Sequence, residues 1–242
     1  MIHFVGAGSG AEDLITLRGA RLLSEADVVI YAGSLVNPAL LKHCRADCEI
    51  HDSASMTLEE VLAVMDQAEQ AGKTTVRLHT GDQMDALEER GYAYDVTPGV
   101  SSFCGAAAAL KAEYTLPGVS QTVIITRAEG RTPVPEREQL KSLAAHGSTM
   151  VLFLSSSLLE KAQADLMAGG YAPDTPAAIV YKATWPDEKV YRCTLSTLAE
   201  TARANHVTKT ALITVGGFLG SAYDRSLLYD PGFSHGCREA SK

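Results

Sequence analysis

Short apolar runs alternate with segments of helical period along the whole of this chain, and that alternation restricts it to an α/β fold. In the first half the strand candidates are Ile2–Val5, 27–31, 75–79 and Tyr94–Thr97. Between the second and third of these, Leu58, Val61, Leu62, Met65 and Ala68 recur on one helical face. Thr57 with Glu60 predicts a capping box at the start of that helix, and Gly72 ends it. In the second half the strand candidates are 122–126, 149–154, 177–182, 190–194 and Ala211–Val215. Ser157 with Glu160 predicts another capping box, on a helix stopped by Gly169-Gly170, and Leu195, Leu198, Ala199 and Ala202 mark one more helix. Residues 114–120, which contain Pro117-Gly118, part the two series, so two α/β lobes are expected, over 1–116 and 117–242. A cleft between them is the default place for a ligand.

A chain of 242 residues can bury a substantial core without staples. Its formal net charge of −8 argues against a nucleic-acid partner, although a local basic pocket can still take a small polyanion. The five cysteines are an odd number in a chain that is not small, so no disulfide framework is expected. Cys44 and Cys48 lie beside His43, but no second pair completes a zinc site, and no bound metal is expected. Ile2–Val5 runs directly into a glycine turn and reads as a core strand rather than a leader. No apolar stretch approaches the ~20 residues of a membrane span. A cytoplasmic protein with reduced thiols is expected.

Several motifs stand at predicted strand ends. Gly6-Ala7-Gly8-Ser9-Gly10 follows the first strand, but its glycine spacing is one residue off the dinucleotide fingerprint. The second strand ends Tyr31-Ala32-Gly33, without the carboxylate that would hold a ribose. Nicotinamide binding therefore fails on two counts, and the common Rossmann-type methyltransferase fails on the second. Gly81-Asp82 follows another strand, where Asp82 either faces a ligand or caps the next helix. Ser101 and Ser102 precede the small-residue run 105–109, and either can cap a helix whose free N–H groups face a ligand or a close neighbour. The polar loop 126–135 carries Arg127 and Arg131, which can fork onto carboxylates or simply lie in solvent, with Glu129 pairing one of them. Tyr181-Lys182-Ala183-Thr184-Trp185-Pro186-Asp187 holds the single tryptophan and otherwise reads as a hairpin connection. No Ser-His-Asp set, phosphate loop or HExxH is present. What remains suits a cleft enzyme that needs no strong acid–base group, and methyl transfer from a sulfonium fits, because alignment is most of the task.

Taken together and in order, these segments resemble the tetrapyrrole methylase family over nearly the whole chain. Phe4-Val5-Gly6-Ala7-Gly8 with Asp13-Leu14-Ile15-Thr16-Leu17 is similar to its opening signature. Tyr31-Ala32-Gly33-Ser34-Leu35-Val36, Asp52-Ser53-Ala54, Val119-Ser120-Gln121-Thr122, 126–135, 181–186 and Leu228-Tyr229 resemble the branch that acts on precorrin-4. The resemblance implies two α/β lobes with S-adenosylmethionine bound between them, a homodimer, and methylation of C11 of a precorrin-4-type tetrapyrrole. It implies cofactor contacts at Gly81, Asp82, Ser101, Ser102, Leu154, Ala183, Ala211 and Leu212, and substrate contacts at Arg127 and Arg131. It names no catalytic base.

Two departures stand out. The family's opening turn reads Gly-Pro-Gly-Asp, whereas this one reads Gly8-Ser9-Gly10-Ala11. Asp82 also runs straight into Gln83-Met84-Asp85, where the family has a further loop of about nine residues. A mobile loop not counted among these 242 residues is the favoured explanation. A true deletion would remove part of the cofactor wall and favour a non-catalytic binder of S-adenosylmethionine or tetrapyrrole. A methylase of another ring position is the alternative among enzymes.

Overall fold

The computed structural model describes residues 1–78, 83–220, 224 and 226–241. They pack as two compact units, Met1–Gly105 with Ala183–Asp187, and Ala106–Lys182 with Glu188–Lys242.

The first unit carries β1 (Ile2–Val5), α1 (Leu17–Glu25), β2 (Val28–Tyr31), β3 (Glu49–Asp52), α2 (Leu58–Gln70), β4 (Thr75–Leu78), α3 (Gln83–Glu89) and β5 (Tyr94–Thr97). Its strands form an all-parallel sheet in the order β3-β2-β4-β1-β5. Side chains on a strand alternate between faces. Val5, Val29, Val76 and Leu78 therefore pack on one face with Leu22 and Leu23 of α1. Phe4 and Ile30 pack on the other with Val61, Leu62 and Met65 of α2 and Leu87 of α3. β1 and β4 are neighbours, yet β1 leads to a helix on one face and β4 to a helix on the other. Such a reversal opens a crevice at the carboxyl ends of the strands, the usual ligand position in sheets of this kind.

β3 is the strand that periodicity does not reveal. Glu49-Ile50-His51-Asp52 has a single apolar residue, and it lies at the sheet edge, with one neighbouring strand and no buried face to mark it. The capping box of α2 forms as expected: the Thr57 hydroxyl accepts from Glu60 N, and Thr57 N donates to the Glu60 carboxylate at 2.7 Å.

Next come α4 (Ser102–Leu110), β6 (Val123–Arg127), α5 (Leu140–Ala144), β7 (Thr149–Phe153), α6 (Leu159–Ala168), β8 (Pro176–Tyr181), β9 (Lys189–Thr194), α7 (Leu198–Ala204) and β10 (Ala211–Val215). The second sheet is mixed, in the order β6-β7-β10-β8-β9; only the β6–β7 pair is parallel. The core of the second unit gathers Met150, Leu152, Leu159, Leu166, Ile179, Leu195, Leu198 and Ile213. The box expected at Ser157 and Glu160 does not form: α6 is preceded by Leu158, with no side-chain cap. Burial of Leu159, with Leu158 packed beside it, sets where this helix begins and leaves Ser157 exposed. The segment read as a linker is a closed turn, with Leu116 N donating to Ser120 O (2.9 Å), Val119 N to Leu116 O (3.0 Å), and Gly118 at φ +73°.

Candidate active site

The turn after β1 is built by close backbone contact. Gly6 N donates to Thr97 O at 3.0 Å, and a Cβ on Gly6 would lie 2.5 Å from Gly99 N, so the loops leaving β1 and β5 touch main chain to main chain. Further along, Asn37 Nδ2 donates to Gly10 O at 2.9 Å. Ala11 N donates to Thr184 Oγ1 at 2.9 Å, and Ser9 Oγ stands 3.3 Å from the same oxygen. Gly10, at φ +147°, has Ala183 O and the Trp185 ring so near that a Cβ would fall 2.4 and 2.3 Å from them.

Ser101 caps α4: its Oγ accepts from Phe103 N at 3.4 Å and its carbonyl from Cys104 N at 3.0 Å. One turn into α4, Gly105 leaves room for Ser9 and Thr184, whose side chains would lie 2.9 and 3.0 Å from a Cβ there. Within the first unit the start of α4, with Ser101 and Ser102, thus gathers with Ala183 at the β1 turn. Gly81 and Asp82 lie outside the described residues.

In the second unit, Arg127, Leu154, Ala211 and Leu212 share one end of the mixed sheet. Arg127 pairs with Phe153, the residue before Leu154. Ala211 and Leu212 open β10 opposite Tyr181 and Val180. Leu154, Lys182 and Thr210 all sit there with positive φ (+51°, +47° and +53°). Non-glycine residues seldom take this conformation, and strain of this kind gathers at functional sites. Leu154 is also 66% exposed, whereas Ala211 and Leu212 are buried. The Ser156 hydroxyl, donating to Ala211 O at 3.1 Å, ties the start of β10 to the chain after β7.

The two arginines differ in their surroundings. Arg127 donates to three carbonyls of its own loop, Ala128 O (3.4 Å), Thr132 O (3.1 Å) and Pro133 O (2.8 Å). Glu129 pairs with neither arginine but accepts from Val134 N at 3.4 Å. The buried Ser155 hydroxyl accepts from Ala128 N at 2.8 Å and anchors the base of the loop. Arg131 is exposed near the middle of the loop.

At the end of β2, Tyr31 pairs in register with Asp52 of β3. Asp52 accepts from Ala54 N and Gly33 N, each at 2.9 Å, and these N–H groups, with Tyr31 beside it, hold its carboxyl below the ordinary range. This carboxylate serves its own corner of the fold. Sequence reasoning passed over Thr184 and Asn37. Thr184 lay inside a segment already singled out, while nothing in the local sequence marks Asn37. Among the described residues no group of three or more His, Cys, Asp and Glu side chains could hold a metal ion, and no helix is long and apolar enough to cross a membrane.

Comparison with known proteins follows the same outline. The sequence pattern of the Tetrapyrrole (Corrin/Porphyrin) Methylases matches residues 1–199. The chain is 50% identical to the cobalt-precorrin-4 C(11)-methyltransferase of Methanocaldococcus jannaschii, over 100% of this chain and 97% of that protein. That alignment runs over 251 residues and takes in all of this shorter chain. The crystal structure of a cobalt precorrin-4 methyltransferase, a cobalamin biosynthetic enzyme, superposes with a TM-score of 0.86 at 45% identity, covering 91% of this chain and 96% of that one. The uroporphyrin-III C-methyltransferase of Thermus thermophilus complexed with S-adenosylhomocysteine gives 0.74 at 25% identity, over 90% and 93% of the two chains.

Proposed function

Since the chain belongs to the tetrapyrrole methylase family, we propose that it methylates C11 of a precorrin-4-type macrocycle with S-adenosylmethionine as donor. The observation that carries this reading is the 50% identity, over the full chain, to an enzyme named for that reaction. The donor supplies a methyl group already activated on a sulfonium. The protein's part is to hold the macrocycle, orient C11 and keep water away.

The surroundings suit a donor recognised through main chain and small side chains. In the first unit the proposed contacts are Gly81, Asp82, Ser101, Ser102 and Ala183, of which Ala183 lies at the β1 turn and the two serines at the open end of α4. In the second they are Leu154, Ala211 and Leu212, at the strained end of the mixed sheet. Arg131 is the proposed grip on a substrate carboxylate. Arg127 serves the substrate by shaping the loop that carries Arg131. The working form proposed is a cytoplasmic homodimer, which light scattering at assay concentration would test.

Calorimetry on ligand-free protein should show one S-adenosylhomocysteine site per chain. Label from methyl-labelled S-adenosylmethionine should then pass to precorrin-4 or its cobalt form. Binding without transfer to either would favour a non-catalytic binder, the reading to which the short connection from Asp82 to Gln83 lends support.

A further inference from the structure

The turn after β1 has glycine at three of five positions, Gly6, Gly8 and Gly10, and no proline. By itself such a segment has wide conformational freedom. Yet it leaves the strand at the β1–β4 crevice, where a ligand needs a fixed wall. The rigidity comes from elsewhere in the chain. Asn37 holds Gly10 O, and the Thr184 hydroxyl holds Ala11 N beside Ser9 Oγ. One hydroxyl can accept from Ala11 N and still exchange a hydrogen bond with Ser9.

Thr184 makes these contacts from φ +66°, a conformation that a β-branched residue rarely adopts. Glycine would sit there without strain but would bring no hydroxyl. The flanking residues reinforce the placement, because Ala183 O and the Trp185 ring close over Gly10, and Gly105 makes room for the Thr184 methyl group.

We propose that Thr184 is a positioning residue for methyl transfer: its hydroxyl fixes the β1 turn at the crevice and so shapes the surface that meets the donor. This role rests on the methyltransferase reading. The test uses the full chain with Thr184→Val, which keeps the shape and loses the hydroxyl, and Thr184→Ser, which keeps the hydroxyl; Thr184→Ala replaces the valine variant if that does not fold. Loss of the bond to Ala11 N should weaken S-adenosylhomocysteine binding about five- to tenfold. The KM for the donor should rise by a similar factor while the KM for the tetrapyrrole stays near wild type. Amide exchange at residues 9–11 should quicken in the valine variant, and the serine variant should restore binding, KM and exchange. Wild-type affinity in T184V would overturn the proposal. So would a serine variant as weak as the valine one, since the methyl group rather than the hydroxyl would then matter. Wild-type protein that binds no S-adenosylhomocysteine would instead sink the methyltransferase reading, and this role with it.

Discussion

Two arginines four positions apart, Arg127 and Arg131, differ in what surrounds them. Arg127 spends its guanidinium on Ala128, Thr132 and Pro133 carbonyls, whereas Arg131 stands exposed. Changing both to alanine should weaken tetrapyrrole binding and leave donor affinity nearly unchanged. The single variants should then separate by mechanism. If Arg131 grips a substrate carboxylate as proposed, Arg131→Ala should cost on the order of 1.5–3 kcal/mol of tetrapyrrole binding where water is excluded, and less in the open. Arg127→Ala should act through the loop, making 128–134 more sensitive to a protease while the rest of the chain resists. Paired titrations with donor and tetrapyrrole check this, because equal losses for both ligands would indicate a folding defect. The sequence placed both residues on a polar loop after a strand. It could not say which was consumed internally, because that depends on where the Thr132 and Pro133 carbonyls point.

At the scale of the element, legibility followed burial. Strands covered on both faces, such as β2 and β10, announce themselves as nearly continuous apolar runs, whereas β4, equally buried, intersperses Thr75 and Arg77 with Val76 and Leu78. β3 does not announce itself, because an edge position lets Glu49, His51 and Asp52 face solvent. Helix starts were read from the same kind of pair twice, with opposite outcomes. The Thr57–Glu60 box is closed in both directions, whereas the chain at Ser157 is governed by Leu158 and Leu159. Thr57→Ala should therefore cost about 1 kcal/mol. Ser157→Ala should be nearly silent in the same urea titration. The close approach at the β1 turn was legible only in part: the glycines were plain, but their partners lie far away in sequence. The first sheet's crevice likewise follows from strand order, which periodicity does not supply.

For the molecule as a whole, one buried phenol links stability to pH. Tyr171 donates to the Ser148 carbonyl, and burial pushes its pKa up from the usual 10 to about 12. The folded protein thus holds this proton more tightly than the unfolded chain. Its stabilising contribution is complete below pH 10 and is lost as pH rises towards 12. Unfolding free energies measured across that range should fall more steeply for wild type than for Tyr171→Phe, and parallel slopes would remove Tyr171 from the account. Below pH 10 the phenylalanine variant should be less stable than wild type, by about 1 kcal/mol for one lost hydrogen bond.

The hold of Thr184 on the β1 turn also has a history in time. Ser9 and Ala11 meet their partner across 175 and 173 positions of sequence. A ribosome adding ~5–20 residues per second delivers the turn among its first products and Thr184 roughly ten to thirty seconds later. Late in that interval every strand of the first sheet, the last ending at Thr97, can already be outside the exit tunnel while the β1 turn still lacks its hold from Thr184. Translation arrested with residue 182 newly emerged should therefore yield a nascent chain whose first sheet is protected but whose residues 9–11 exchange freely, until a few more codons bring the clasp that closes them.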